Sequence, residues 1–331
     1  MSADRDYKGT SVVVTGAHGF MGSWLVERLL DLGARVIIPR RTVAAGSRFV
    51  REGLEQGCEM VDIDLLDPRS ALRILNEGGV RVVFHLAAQT IVATASASPM
   101  ATFDANVRGT YNLLEAARLL SDHAPRLVVA SSYHVYGPGI NGVCFEDTPL
   151  RATSPYAASK ACADFVTRSY ACTYGVPAAV SRLANVYGGG DLNWSRIVPD
   201  TVRALTRGDR PVIASDGTPE RDYLYVEDAV DAYLAIADSL SDPANYGRAW
   251  NAGCDRPISV LELVRALIAA AGLDLEPEVR GTPVPGRVDR QYLDSSAIRD
   301  ELGWHARWAL DDGLAATYEW YGQALREAAL R

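Results

Sequence analysis

Thr15-Gly16-Ala17-His18-Gly19-Phe20-Met21-Gly22 follows the apolar run Ser11-Val12-Val13-Val14 and leads into the helical pattern Ser23-Trp24-Leu25-Val26-Glu27-Arg28-Leu29-Leu30. A glycine turn between a first strand and a first helix is the setting in which backbone N–H groups and a helix N-terminus hold a dinucleotide's pyrophosphate. The spacing is G-x-x-G-x-x-G, not G-x-G-x-x-G, and the triplet alone is a weak signal. The strand before it, the helix after it and a second run, Ala34-Arg35-Val36-Ile37-Ile38, carry the reading. Gly16 permits the tight turn, Gly19 removes a Cβ where phosphate must approach, and Gly22 lets the helix lie close to the strand.

Apolar runs at 11–15, 34–38, 57–61, 80–86, 126–131 and 177–182 alternate with helical patterns at 20–32, 68–77, 100–121 and 155–174. This rhythm predicts an α/β fold, a Rossmann-type doubly wound parallel sheet, over residues 1–187. Beyond residue 188 the pattern turns irregular, through Gly188-Gly189-Gly190 and Thr282-Pro-Val-Pro-Gly286, with helices expected near 195–207, 227–240, 259–271 and 311–328. Residues 188–331 are read mainly as a smaller C-terminal α/β substrate lobe, some of whose segments return to the sheet. The active cleft is expected between the two.

At 331 residues and 48% hydrophobic content the chain can bury a full core. No apolar run reaches bilayer length, and Met1-Ser-Ala-Asp-Arg-Asp6 lacks a signal-peptide core. The five cysteines, an odd number, show no C-x-x-C spacing, which speaks against a disulfide framework and for a reducing cytoplasm. A formal charge of −8 gives no electrostatic reason to bind nucleic acid.

Tyr156 and Lys160 lie four residues apart in a segment opening Ser154-Pro155, an N-cap followed by proline at the first helical position. They therefore share a helix face. A phenol of pKa about 10 is a poor base, but an adjacent ammonium and an oxidised nicotinamide favour phenolate. Tyr156 could then take a hydroxyl proton while C–H hydride leaves. A surface Tyr/Lys pair would look the same in isolation; its place behind a dinucleotide turn favours catalysis. The run Arg126-Leu-Val-Val-Ala-Ser131 ends a strand, where parallel sheets meet their ligands, so Ser132 is chosen to hydrogen-bond the reacting oxygen, with Ser131 as its control.

With these residues in place the chain resembles the extended short-chain dehydrogenases/reductases of the nucleotide-sugar epimerase and dehydratase group. The likeness runs through Thr15 to Gly22, Asp62-Ile-Asp64-Leu65, His85-Leu-Ala-Ala-Gln89, Asn106-Val-Arg-Gly-Thr110, Ser131-Ser132, Tyr156 to Lys160, Asn185-Val-Tyr-Gly, Arg221 to Asp228 and Leu302-Gly-Trp304. Gly22-Ser-Trp-Leu and Asn185-Val-Tyr-Gly-Gly-Gly-Asp191 lean towards the CDP-glucose 4,6-dehydratase branch. The resemblance implies a retained NAD or NADP that oxidises a nucleotide-diphosphate sugar at C4 and later returns the hydride. It places Gly16, His18, Gly19, Phe20, Met21, Gly22, Asp64, Leu65, Ala87, Ala88, Gln89, Tyr156 and Lys160 at the cofactor, and Asn185 and Arg221 at the sugar-nucleotide phosphates. It also implies a homodimer through the helices near 100–121 and 155–174.

Departures from the group's pattern bear on the reaction. Dehydratases commonly follow the active-site Ser/Thr with an acid and a base; here those positions hold Tyr133 and His134. His134 can act as acid or base near neutral pH, or be a satisfied structural histidine. Thr94-Ala95 stand where many relatives carry Arg-Ser near the sugar, and Val284 where an arginine often contacts phosphate; Arg280, Arg287 or Arg290 are the candidate replacements. Arg40-Arg41 follow the second strand in place of the usual acidic residue, which tips the expected cofactor towards NADP. The leading expectation is C4 epimerisation through a 4-keto sugar. A 4,6-dehydratase, a uronate decarboxylase, a ketosugar reductase and an inactive NAD(P)-sensing protein are the alternatives.

Overall fold

The computed structural model describes residues 6–40, 46–138, 140, 142–283 and 288–329. Its centre is a seven-stranded sheet: β1 (Ser11–Thr15), β2 (Arg35–Arg40), β3 (Cys58–Asp62), β4 (Val82–His85), β5 (Arg126–Ala130), β6 (Ala178–Leu183) and β7 (Ala249–Ala252), in the order β7-β6-β5-β4-β1-β2-β3. Every neighbouring pair is parallel. The order reverses between β1 and β4, which opens a crevice at the strands' carboxyl ends.

Strand alternation distributes the core. Val12 and Val14 point to one face with Val36, Ile38 and Phe84; there α1 (Phe20–Asp31) lays down Leu25, Val26 and Leu29. Val13, Ile37 and Val83 point to the other face, covered by α2 (Pro68–Glu77) through Ile74 and Leu75 and by α3 (Gly109–Leu119) through Leu113, Leu114 and Ala117. The expected helix at 100–121 begins at Pro99–Phe103, passes through a π turn at Asp104–Arg108 and continues into α3. Two side-chain bonds accompany the π turn: the Asn106 side chain is drawn out to the backbone of Gln89, in the loop after β4, while Thr110 Oγ1 donates to the Asn106 carbonyl at 2.6 Å.

Ser154 Oγ caps α4 (Pro155–Tyr174), accepting from Ala157 N at 3.2 Å, and Gly175 ends it in the left-handed region, φ 69°. Beyond β6 the chain forms α5 (Ile197–Thr206), α6 (Val226–Ser239), α7 (Val260–Ala270) and α8 (Leu310–Ala329). Val202, Leu205, Leu263, Leu267, Leu314 and Tyr321 gather α5, α7 and α8 around a separate core. α6 instead packs beneath the main sheet and β7 joins its edge, so part of the second half belongs to the first. Among the described residues no helix is long and apolar enough to cross a membrane.

Candidate active site

A cavity of about 920 Å³ opens over the carboxyl ends of β1, β4, β5 and β6, lined there by Gly16, Leu86 to Ala88, Ala130 to His134 and Leu183 to Ala184. Its opposite wall comes from Asn185 to Gly188, the segment before α5, Arg221 and Tyr223. The glycine turn fits a dinucleotide. Gly16 takes φ 74°, and a Cβ there would lie 2.7 Å from Ala87 N; one on Gly22 would lie 2.2 Å from the Gly16 carbonyl oxygen. The turn is thereby pulled against both β4 and α1. Gly19, Phe20, Met21 and Gly22 face the cavity, and α1 opens with no side-chain cap, so its first N–H groups are available to an anion.

Tyr156, Ser132 and Lys160 meet in this cavity, from α4 and the end of β5. Lys160 Nζ donates to the Ala130 carbonyl at 2.7 Å, and burial lowers it to about 8. Burial pushes the Tyr156 phenol up, against a hydrogen bond with Ser132 and the charge of Arg196. Desolvation thus opposes the phenolate that an adjacent ammonium and an oxidised nicotinamide would favour. Ser132 Oγ caps the one-turn helix Tyr133–Tyr136, accepts from His134 N at 3.3 Å, and lies 3.0 Å from His134 Nδ1. Burial, then Arg196 and Arg221, drive His134 down to about 4, so it is neutral near pH 7. Burial raises Tyr133 against the pull of Arg221 and Asn185.

A buried polar chain ties turn, strand and catalytic helix together. Ala87 N donates to Thr15 Oγ1, which contacts His85 Nδ1 at 2.8 Å; His85 Nε2 reaches Thr110 Oγ1 at 3.1 Å. Asn106 then accepts from Gln89 N at 2.7 Å and donates to the Gln89 carbonyl and to Ser159 Oγ, which donates to the Tyr156 carbonyl.

Of the cofactor and substrate candidates, Gly16, Gly19, Phe20, Met21, Gly22, Ala87, Ala88, Asn185 and Arg221 line the cavity. His18 lies beside it, tilted against Phe49 with a buried Nε2 that has no hydrogen-bond partner. Arg40 makes two hydrogen bonds to Asp62, at 2.7 and 3.0 Å. Asp64 accepts from Leu66 N, and the Leu65 carbonyl accepts from Asn112. Thr94 is exposed and does not line the cavity, where Thr90, Val92 and Ala93 do. Arg290 pairs with Glu220 at 2.9 Å and Arg280 with Glu278, both away from the cavity lining. Arg41, Val284 and Arg287 lie outside the described residues.

Arg196 is the residue that sequence reasoning missed. It lines the cavity, pairs with buried Asp191 at 2.9 Å and acts on Tyr133, His134 and Tyr156. Its only signal was a position just past the glycine-rich Gly188 to Asp191 and at the N-cap of α5.

A UDP-glucose 4-epimerase of Mycolicibacterium smegmatis is 35% identical over 93% of this chain and 97% of its own length. A CDP-glucose 4,6-dehydratase of Salmonella typhimurium is 28% identical over 97% of this chain and 92% of its own. The crystal structure of a dTDP-glucose 4,6-dehydratase from Streptomyces venezuelae with NAD bound superposes with a TM-score of 0.81 at 30% identity, covering 95% of this chain and 97% of that one. The model of the NAD dependent epimerase/dehydratase family matches residues 12–253. A dinucleotide turn, a Ser-Tyr-Lys cluster at the sheet's carboxyl edge and full-length relatives with both activities agree: the chain belongs to the NAD-dependent epimerase/dehydratase family, the nucleotide-sugar enzymes of the extended short-chain dehydrogenase/reductase type.

Proposed function

We propose that the protein is a nucleotide-sugar 4-epimerase working through a transient 4-keto sugar. The carrying observation is the chemistry at 133 and 134. Eliminating water across C5 and C6 needs an acid for the leaving C6 oxygen and a base for the C5 proton. Neither is a carboxylic acid: burial makes the Tyr133 phenol a weaker acid than usual, and His134, lowered to about 4, has no imidazolium proton for the C6 oxygen at pH 7. The only carboxylate among the described lining residues, Asp191, is bound to Arg196 and to Asn193 N. Epimerisation asks for none of these groups.

A bound nicotinamide supplies the hydride acceptor and donor. Gly16 to Gly22 hold the pyrophosphate, with Ala87 and Ala88 along the cofactor's path. Tyr156 takes the C4 hydroxyl proton and returns it, Ser132 hydrogen-bonds the C4 oxygen, and Lys160 carries a buried charge beside them below pH about 8. Asn185 and Arg221 hold the diphosphate, with Arg196 adding positive charge. We read the cofactor as NAD: Arg40, which favoured NADP in the sequence, is paired with Asp62, so a 2′-phosphate would sit beside a carboxylate. Acid extraction of the purified protein followed by chromatography should release NAD; NADP would reverse this choice. Asp62→Asn should shift binding towards NADP.

Offered UDP-, CDP-, GDP- and dTDP-hexoses and uronic acids without added cofactor, the protein should convert at least one to an isomer of unchanged mass. A product lighter by one water would instead make it a dehydratase.

A further inference from the structure

A serine hydroxyl has one proton to give and two lone pairs to fill. At Ser132 one lone pair takes the His134 backbone N–H, 3.3 Å away. The His134 ring then folds back on the same oxygen, with Nδ1 3.0 Å from Oγ. Aromatic neighbours hold the ring there: Tyr133 lies 4.2 Å away between centroids, and Tyr156 meets it edge-on at 5.7 Å.

The two neutral tautomers of this ring have opposite consequences. With Nδ1 bare, the serine proton goes to the imidazole and none is left for a substrate oxygen. With Nδ1 protonated, His134 fills the second lone pair, and the serine O–H points into the cavity towards Tyr156, with which it shares a hydrogen bond.

We propose that His134 is a positioning residue whose Nδ1–H and backbone N–H together pin Ser132 Oγ, directing the serine hydroxyl at the C4 oxygen of the sugar. This rests on the 4-keto reading above and adds the device that aims its hydrogen bond. Two donors converging on one oxygen also polarise the bond that the oxygen gives. The charged and titratable groups facing His134 are Tyr133, Tyr156, Arg196 and Arg221; burial, then the two arginines, opposes a second ring proton, so the ring carries a single proton through the neutral range.

Two measurements test the proposal. Long-range proton–nitrogen NMR on protein labelled at histidine nitrogens reads the His134 tautomer without any substrate; Nδ1–H is expected, and Nε2–H overturns the proposal. Kinetics with the accepted nucleotide sugar then compare Ser132→Ala, His134→Ala, His134→Asn and the double alanine variant. His134→Ala should lower kcat about tenfold, a fraction of the loss for an oxyanion donor, with KM unchanged. His134→Asn, whose amide N–H reaches towards the same oxygen, should restore most of it, and the double variant should be no slower than Ser132→Ala. Losses that multiply, with no rescue by asparagine, would mean that His134 acts independently of Ser132 and overturn the proposal. If the product has lost water, the epimerase reading falls, while the tautomer still decides how Ser132 is aimed.

Discussion

Burial governs the ionisable residues of this site. Tyr156 is held up by desolvation and His85 is pushed down to about 3, each for want of water around its charged form. Removing the Tyr156 hydroxyl should therefore remove turnover but not recognition. Tyr156→Phe is expected to lose about 10²- to 10⁴-fold in kcat while titration calorimetry shows nucleotide-sugar binding intact; unchanged turnover would end its assignment as the proton carrier. His85 makes a second test. Its folded pKa lies below the value of about 6.5 for an unfolded histidine, so between the two only the unfolded chain takes up the proton. Stability should fall as pH drops from about 6.5 towards 3, and His85→Gln should flatten that slope in urea titrations. An equal slope in the variant would show that His85 is not its source. Tyr156, Lys160 and Ser132 were legible because each sits at a recognisable spacing or strand end. Arg196 was not, because its place in the cavity depends on a loop whose path no local periodicity encodes.

The decisive elements are the 99–119 helix and α4, which must hold Tyr156 against the end of β5. The π turn at Asp104–Arg108 turns Asn106 towards Gln89 and Ser159, joining the two helices through polar groups. Apolar periodicity predicted the helix but not the π turn, since the signal is a side-chain bond to a distant loop. Beneath α4 lies a fully buried ion pair, Arg182 Nε to Asp164 Oδ2 at 2.8 Å with a second bond at 3.0 Å, extended to Tyr136 and the Glu146 carbonyl. Removing one partner leaves an uncompensated buried charge. Asp164→Asn should cost about 3–5 kcal/mol in chemical denaturation. A change under 1 kcal/mol would mean that the pair does not anchor α4 on β6.

At the scale of the whole molecule, β1 to β6 were each visible as an apolar run, whereas the return of β7 and α6 to the sheet was foreseen only in outline. Ala249-Trp250-Asn251-Ala252 is short, has no β-branched residue and is interrupted by Asn251, and its strand character comes from pairing with β6. We propose that the outer faces of the 99–119 helix and α4 meet a second copy: Met100, Phe165 and Tyr174 are 82%, 56% and 57% exposed. Light scattering should give a dimer, and Phe165→Glu should shift it to monomer; a monomeric wild type would refute this face. Epimerisation and dehydration share the 4-keto sugar: the first returns hydride to the other face of C4 and leaves C5–H intact, the second breaks C5–H and C6–O, so the most direct test follows those bonds. Turnover in deuterated water, read by NMR, should yield a C4 epimer with no deuterium on carbon. Deuterium at C5 together with loss of water would contradict the account and return Tyr133 and His134 to acid–base roles.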